Sequence, residues 1–275
     1  MGLLTALVAA GTIAVSAANG PSEVSTICID AATGKVLSSG NATVVRPPAS
    51  MVKMMSFLLV TEGVEAREWS WEDPITASRH AEHMGGSQVF LRAGETYPLE
   101  HLMQAVAVAS ANDAAMAIAE GLWGNEDDYL EAVNARVASL GMVDTRFNSV
   151  HGLPPDDGVA PDRTTARDMA LLARACVRHS KVLDWTQVRE FSFRHGDATE
   201  YNTNKLLWRV PECDGLKTGY IRASGYCVTA TAERNGRRVI AVVMGHESFN
   251  GRFRAAQEML ENALGKPANA YAGDD

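Results

Sequence analysis

Basic blocks are missing from this chain. Its 275 residues hold 25 lysines and arginines against 33 aspartates and glutamates, a formal net charge of -8, and the cations nowhere gather into a run. Phosphate backbones are held by clustered basic side chains, so a nucleic-acid partner is excluded and the negative balance is assigned to solubility. Cysteine is scarce too. Cys28, Cys176, Cys213 and Cys227 allow three full pairings, but a core of this size holds without cross-links, and buried free thiols are the simpler reading. The zinc signature His-Glu-x-x-His is lacking, HAEH at 80–83 offering only two histidines at helical spacing, so no metal site is expected. Repeats and low-complexity tracts are absent apart from the closing GKPANAYAGDD.

Charged side chains are also absent from residues 1–18, MGLLTALVAAGTIAVSAA, which end in small residues with Ser16 and Ala18 placed as a signal-peptidase site requires. Export to a periplasmic or other extracytoplasmic space is therefore expected, with this run either a cleaved signal peptide or an N-terminal membrane tether. No Lys or Arg precedes it, and it is short for crossing a bilayer. What remains, in a chain 46% hydrophobic and 21% charged, has the profile of a soluble globular protein with a full core. One domain over residues 24–265, a tail over 266–275 and a monomeric state are the expectation.

Along that domain, STICIDAATGKVLSS (25–39) alternates around Thr33-Gly34 as a β-hairpin does, and a helix carrying Ser50 and Lys53 follows. Residues 74–98 are irregular, with ITAS and SQVFLRAG as candidate minor strands. Three helices are then expected over 99–140. The third is opened by Asn125 with Asp128 at capping-box spacing, has Leu130, Val133, Val137 and Leu140 on one face, and ends at Gly141. HGLPPDDGVAPD (151–162) is a loop, and Thr165 with Asp168 caps the next helix. Three strand candidates close the chain, CDGLKTGY, GYCVTATAE and RRVIAVVMG, the last two joined at Asn235-Gly236, followed by the helix FNGRFRAAQEMLENAL. The result is a mixed α/β (α+β) layout: a sheet built from both chain ends, flanked by helices, with a mostly helical lobe inserted and a cleft between the two.

Chemistry concentrates in three short motifs. Ser50 and Lys53 are three residues apart, so on a helix they share a face. A serine hydroxyl becomes a nucleophile when a base stands within hydrogen-bond reach, and lysine is a base only when its amine is neutral. Burial among the methionines of PPASMVKMMSFLL and a second nearby cation both push a lysine in that direction. ASANDAA places Ser110 and Asn112 at a junction of two helices, and DGLKTGY places Lys217, Thr218 and Gly219 on a strand where glycine admits a ligand backbone. Each motif alone has an ordinary explanation: a helix cap with a snorkelling lysine, another cap, a solvated lysine beside a turn glycine.

Together, in this order, with the second about 60 residues after the first and the third roughly 105 further on, the motifs resemble those of the serine D-alanyl-D-alanine carboxypeptidases, the low-molecular-mass penicillin-binding proteins. FLRAGETYPL, SANDAAMAIAE, LGMVDTRFNSVHGL, TTARDMALL and VVMG are similar to non-catalytic stretches of the same family. The resemblance implies the penicillin-binding and serine β-lactamase-like fold, an antiparallel sheet flanked by helices. It implies Ser50 as nucleophile, Lys53 as general base, Ser110 and Lys217 as the proton relay to the leaving amine, and Asn112 as holder of a substrate amide. The backbone N–H groups of Ser50 and Tyr220 would form the oxyanion hole, with Thr218 and Gly219 beside the substrate. Arg252 is the expected carboxylate-binding arginine, with Arg254 a near competitor; His151 is assigned to loop packing. The implied substrate is a peptidoglycan stem peptide ending in D-Ala-D-Ala, with β-lactams as covalent inhibitors and no cofactor.

A class A β-lactamase shares these motifs but needs a glutamate after the helical lobe to activate the deacylating water. Between Thr145 and Asp168 there is none. A transpeptidase of the same fold and an inactive peptidoglycan-binding relative also compete, although no motif residue is missing. Larger members would carry a β-rich second domain and an amphipathic anchor after residue 264; here eleven polar or small residues follow.

Overall fold

A computed structural model describes residues 23–154, 158–194 and 199–265. The apolar run 1–18, the tail 266–275 and part of the loop 151–162 lie outside the described residues. Among the described residues no helix is long and apolar enough to cross a membrane.

Strands β1 (Ser25–Asp30) and β2 (Val36–Gly40) open the fold, and a 3-10 turn over Ala49–Lys53 runs into α1 (Met54–Glu65). The inserted lobe comprises β3 (Pro74–Thr76), α2 (Arg79–Glu82), β4 (Thr96–Pro98), α3 (Leu99–Val108), α4 (Asn112–Trp123) and α5 (Glu126–Ser139). The chain returns through α6 (Ala166–Cys176), α7 (Ser180–Thr186), β5 (Glu190–Phe191), β6 (Glu200–Tyr201) and α8 (Leu206–Arg209). It finishes with β7 (Cys213–Ile221), β8 (Gly225–Arg234), β9 (Arg237–His246) and α9 (Phe249–Leu264).

The main sheet has the order β2-β1-β9-β8-β7 and every pairing is antiparallel. Pairing of β1 with β9 joins the two chain ends. Successive strand side chains point to opposite faces, which explains the unbroken apolar run of β9: Val239, Ala241 and Val243 pack with Phe253, Ala256 and Leu260 of α9, while Ile240, Val242 and Met244 face the larger core. Each of the larger side chains contributes roughly 1.5–3 kcal/mol on burial. The turn between β8 and β9 has Asn235 and Gly236 both at positive φ, 53° and 74°, as a type I′ hairpin requires. Helix α1 is apolar almost all round, and Met54, Met55, Phe57, Leu58 and Val60 are fully buried within the larger core.

Asn125 and Thr165 cap α5 and α6 through the amides of Asp128 and Asp168, and Gly141 takes φ 71° after α5. Two expectations are corrected. SQVFLRAG forms no strand, because the amides of Val89 and Leu91 donate to the buried carboxylate of Asp113 at 3.1 and 2.9 Å, replacing the acceptors a neighbouring strand supplies. Ser50 and Lys53 lie on the 3-10 turn ahead of α1 rather than on an α-helix. All four cysteines are buried and free.

Candidate active site

A 3-10 turn has three residues per turn, so side chains at i and i+3 eclipse. Ser50 and Lys53 therefore stand one above the other, with Nζ 3.1 Å from Oγ. Two backbones press on this turn, and each needs a glycine to do so. A Cβ on Gly152, at φ 79°, would lie 2.2 Å from the Ala49 carbonyl oxygen; one on Gly219 would lie 2.5 Å from that of Pro48. The loop after the lobe and the edge strand β7 are thereby held against the turn that carries Ser50.

Lys53 is fully buried. Desolvation first, and the positive charge of Lys217 second, hold its amine well below the ordinary lysine value, against an upward pull from Asp113. Its other neighbours are the Asn112 side-chain carbonyl at 2.5 Å and the His151 backbone carbonyl at 3.2 Å, both acceptors. A neutral amine has two N–H groups and one lone pair. In that neutral form, donation to the two carbonyls would turn the lone pair toward the Ser50 hydroxyl, whereas the charged form donates to it.

Ser110 sits between α3 and α4 in the left-handed region at φ 60°, a conformation costing about 1–3 kcal/mol that its surroundings must enforce. Neither Ser50 nor Ser110 serves as a helix cap. Instead Lys217 of β7, 1% exposed, donates to Ser110 Oγ at 2.9 Å and to the Thr218 carbonyl at 3.2 Å. Burial, aided by the charge of Arg252, lowers the Lys217 amine to about 7.

Ser50, Ser110, Thr218, Gly219, Tyr220 and Arg252 border one cleft of about 330 Å³. Lys53, Asn112 and Lys217 are buried and join it through hydrogen bonds, Lys53 to Ser50 and Asn112, and Lys217 to Ser110. The Asn112 amide is engaged at both ends, its nitrogen donating to the Gly85 carbonyl at 2.6 Å. Tyr220 is exposed and stacks on Tyr226. Of the two candidate arginines, Arg252 is at the cleft and Arg254 is exposed away from it. Arg252 is 3% exposed, packed among Tyr226, Phe249 and Phe253, and its Nη1 donates to the carbonyls of Gly219 and Cys227 at 3.0 and 3.1 Å. Burial lowers its pKa to about 10.

Several contributors escape sequence reasoning. His151 acts through its backbone carbonyl, which touches both Lys53 and, at 3.4 Å, Ser50 Oγ; only the Gly152 that follows it hints at a close backbone approach. Tyr201, Thr203 and Lys205 form the far wall of the cleft from a stretch with no periodic pattern. Asp113 is buried beside Asn112 and anchors the amides of Val89 and Leu91.

Comparison with known proteins converges on one group. The chain is 34% identical over 243 residues to the D-alanyl-D-alanine carboxypeptidase DacF of Bacillus subtilis, covering 87% of this chain and 61% of the relative. It is 33% identical over 241 residues to DacA of Escherichia coli, covering 85% and 59%. It thus spans about three fifths of the length of these curated relatives. Among solved structures, DacD of Francisella tularensis superposes with a TM-score of 0.82 at 27% identity, covering 90% of this chain and 70% of that one. Penicillin-binding protein D2 of Listeria monocytogenes, in its ampicillin-bound form, superposes with a TM-score of 0.77 at 31% identity, covering 86% and 95%. The fold is that of the penicillin-binding proteins. With the family profile matching residues 14–248, the chain belongs to the D-alanyl-D-alanine carboxypeptidase family of peptidases.

Proposed function

We propose that this chain is a serine D-alanyl-D-alanine carboxypeptidase that removes the terminal D-alanine of peptidoglycan stem peptides, acting outside the cytoplasmic membrane where that polymer lies. The observation that carries this reading is the fully buried Lys53 amine 3.1 Å from Ser50 Oγ, held well below the ordinary lysine value by desolvation. In the proposed reaction Ser50 Oγ attacks the carbonyl of the penultimate D-alanine while its proton passes to Lys53 Nζ. The amides of Ser50 and Tyr220 receive the oxyanion, at roughly 3–4 kcal/mol for each well-aimed donor. As the peptide bond breaks, Ser110 and Lys217 deliver a proton to the departing amine, a step suited to an amine lowered to about 7. Water then cleaves the Ser50 ester. A β-lactam opens onto Ser50 by the same attack and remains bound when water is slow to follow.

Fluorescent penicillin is expected to label the protein covalently and to leave a Ser50→Ala variant unlabelled. Diacetyl-Lys-D-Ala-D-Ala is expected to release free D-alanine. Labelling that survives in Ser50→Ala would overturn the assignment of the nucleophile, and labelling without D-alanine release would overturn the carboxypeptidase reading.

A further inference from the structure

The Lys53 amine is aimed only as well as its two carbonyl acceptors are held. One of them, the Asn112 side chain, is fixed from behind, its nitrogen donating to the Gly85 carbonyl at 2.6 Å. The other is the backbone carbonyl of His151, on the irregular stretch between α5 and α6, where no helix or sheet ladder sets the direction of a carbonyl.

A trans peptide is planar, and its C=O and N–H point in opposite directions. The peptide joining His151 to Gly152 presents its oxygen to Lys53 and to Ser50 Oγ, while its N–H donates to Ser149 Oγ at 2.8 Å. The Ser149 hydroxyl gives its single hydrogen to Asp162 Oδ2 at 2.6 Å, so a lone pair is what it turns to Gly152. An amide at position 162 would serve as well, because its nitrogen can donate to the same hydroxyl oxygen. The next N–H, that of Leu153, donates to His151 Nδ1 at 3.0 Å. Burial first, then the charges of Lys53 and His80, lower that ring to about 4, which keeps Nδ1 an acceptor. Both peptides flanking Gly152 are thus tied to side chains, at a residue whose φ of 79° and missing Cβ would otherwise leave them free to turn.

Resting on the carboxypeptidase reading, we propose that Ser149, aided by the His151 ring, is a positioning residue for the general base: its hydroxyl sets the plane of the His151–Gly152 peptide, whose carbonyl then orients the Lys53 amine. Ser149 is not among the residues bordering the cleft and lines a separate hollow with Asp162, so it acts through the backbone alone. The titratable groups facing Lys53 are Lys217 of β7, Asp113 of α4 and the His151 ring. Substitution of Ser149 alters none of them. A carbonyl acceptor favours the charged amine, so its loss would lower the Lys53 amine further.

The test follows acylation of Ser50 by a fluorescent penicillin across pH in the parent protein, Ser149→Ala, Ser149→Cys and Ser149→Thr, with labelling carried to completion so that rates refer to folded chains. Cysteine keeps the volume but offers a weak acceptor. The Ala and Cys variants are both expected to label fully, at a plateau rate lowered about ten- to a hundredfold, with the acid limb moved to lower pH. Release of D-alanine from diacetyl-Lys-D-Ala-D-Ala is expected to fall in kcat rather than in KM. Threonine keeps the hydroxyl, and its methyl group has room in the hollow, so Ser149→Thr is expected to restore both rate and limb. A limb that stays in place in the Ala and Cys variants, a Cys variant that matches the parent, or a loss shared by Thr would overturn the inference while leaving the enzyme reading intact. A parent protein that the penicillin does not acylate would remove the enzyme reading and this inference together.

Discussion

Two hollows are built with opposite charge, and His151, which lines the second, bonds through its carbonyl to Ser50 and Lys53 of the first. One is the cleft, bordered by Lys205 and Arg252 over the buried amines of Lys53 and Lys217. The other, of about 430 Å³, is lined by His80, Glu126, Asp127, His151 and Asp162. Desolvation works alike in both: it lowers the two lysines and raises Glu126 and Asp162, in each case favouring the uncharged form. The difference lies in what the buried group has left to offer. Asp162 accepts from the amides of Asn148 and Ser149 and from the Ser149 hydroxyl, at 2.6, 3.1 and 2.6 Å, so it fastens a turn. Lys53 has two carbonyl acceptors and the Ser50 hydroxyl within 3.2 Å, so its neutral form can keep both N–H bonds to the carbonyls and turn its lone pair to the hydroxyl. Burial perturbs both groups, but only one is placed to exchange a proton.

Removal of that exchange is the sharpest way to test the contrast. Lys53→Met is expected to lower Ser50 acylation by about 10²–10⁴-fold, the usual weight of a general base, whereas Asp162→Asn should leave it within about threefold. Rates of penicillin labelling measure both. A comparable loss in the two variants would abolish the distinction between the hollows.

The next effect concerns pH. In the proposed reaction acylation needs a neutral Lys53, so its rate is expected to fall as pH drops through the lowered pKa of that amine. Lys217, itself at about 7, is charged on the acid side and helps to hold Lys53 down. Lys217→Gln is therefore expected to move the acid limb of the acylation profile to higher pH. Asp113→Asn, which removes an upward pull, moves it lower. Limbs that stay in place in both variants would mean that the charges do not reach Lys53.

How much of the fold and the site is legible in the sequence depends on the kind of signal. Ser50, Lys53, Ser110, Asn112 and Lys217 stand out by residue type and order, and the strands β7 to β9 by alternation, apolar runs and the Asn235-Gly236 turn. Side-chain chemistry leaves a mark in sequence; backbone chemistry leaves little. The His151 carbonyl could come from any residue type, and a Pro-rich loop points to packing alone. SQVFLRAG has the composition of a strand, but its amides are drawn to Asp113 across more than twenty residues, a long-range contact that no local pattern carries. Lys205 sits in a stretch without periodicity, and its position depends on how that stretch crosses the end of the cleft.

Stability offers the third test. Between about 7 and the ordinary value of 10.5 the unfolded chain holds a proton on Lys217 that the folded chain does not, so that group makes the parent protein more stable as pH rises across the window. Lys217→Met removes the burden. Urea midpoints are expected to favour the variant at pH 7, by about 1–3 kcal/mol after loss of the Ser110 hydrogen bond, with the difference shrinking toward pH 10. A variant less stable than its parent at pH 7 would mean that the hydrogen bond outweighs desolvation.

The smallest effect belongs to the acidic hollow and has the opposite slope. Asp162 has its pKa raised from 3.8, so just above that value the folded chain holds a proton that the unfolded chain has released. The parent protein therefore loses stability as pH rises through the raised pKa. Asn has no such titration and keeps one carbonyl acceptor for the Asn148 and Ser149 amides. Asp162→Asn should gain on its parent between pH 4 and neutrality, with the two remaining within about 1 kcal/mol because three hydrogen bonds offset most of the carboxylate's desolvation. Urea midpoints of the pair at pH 4 and pH 7 read this slope directly. If the variant instead loses ground toward neutral pH, the charged carboxylate is the favoured form in the folded chain, and burial does not act with opposite slopes on the two sides of His151.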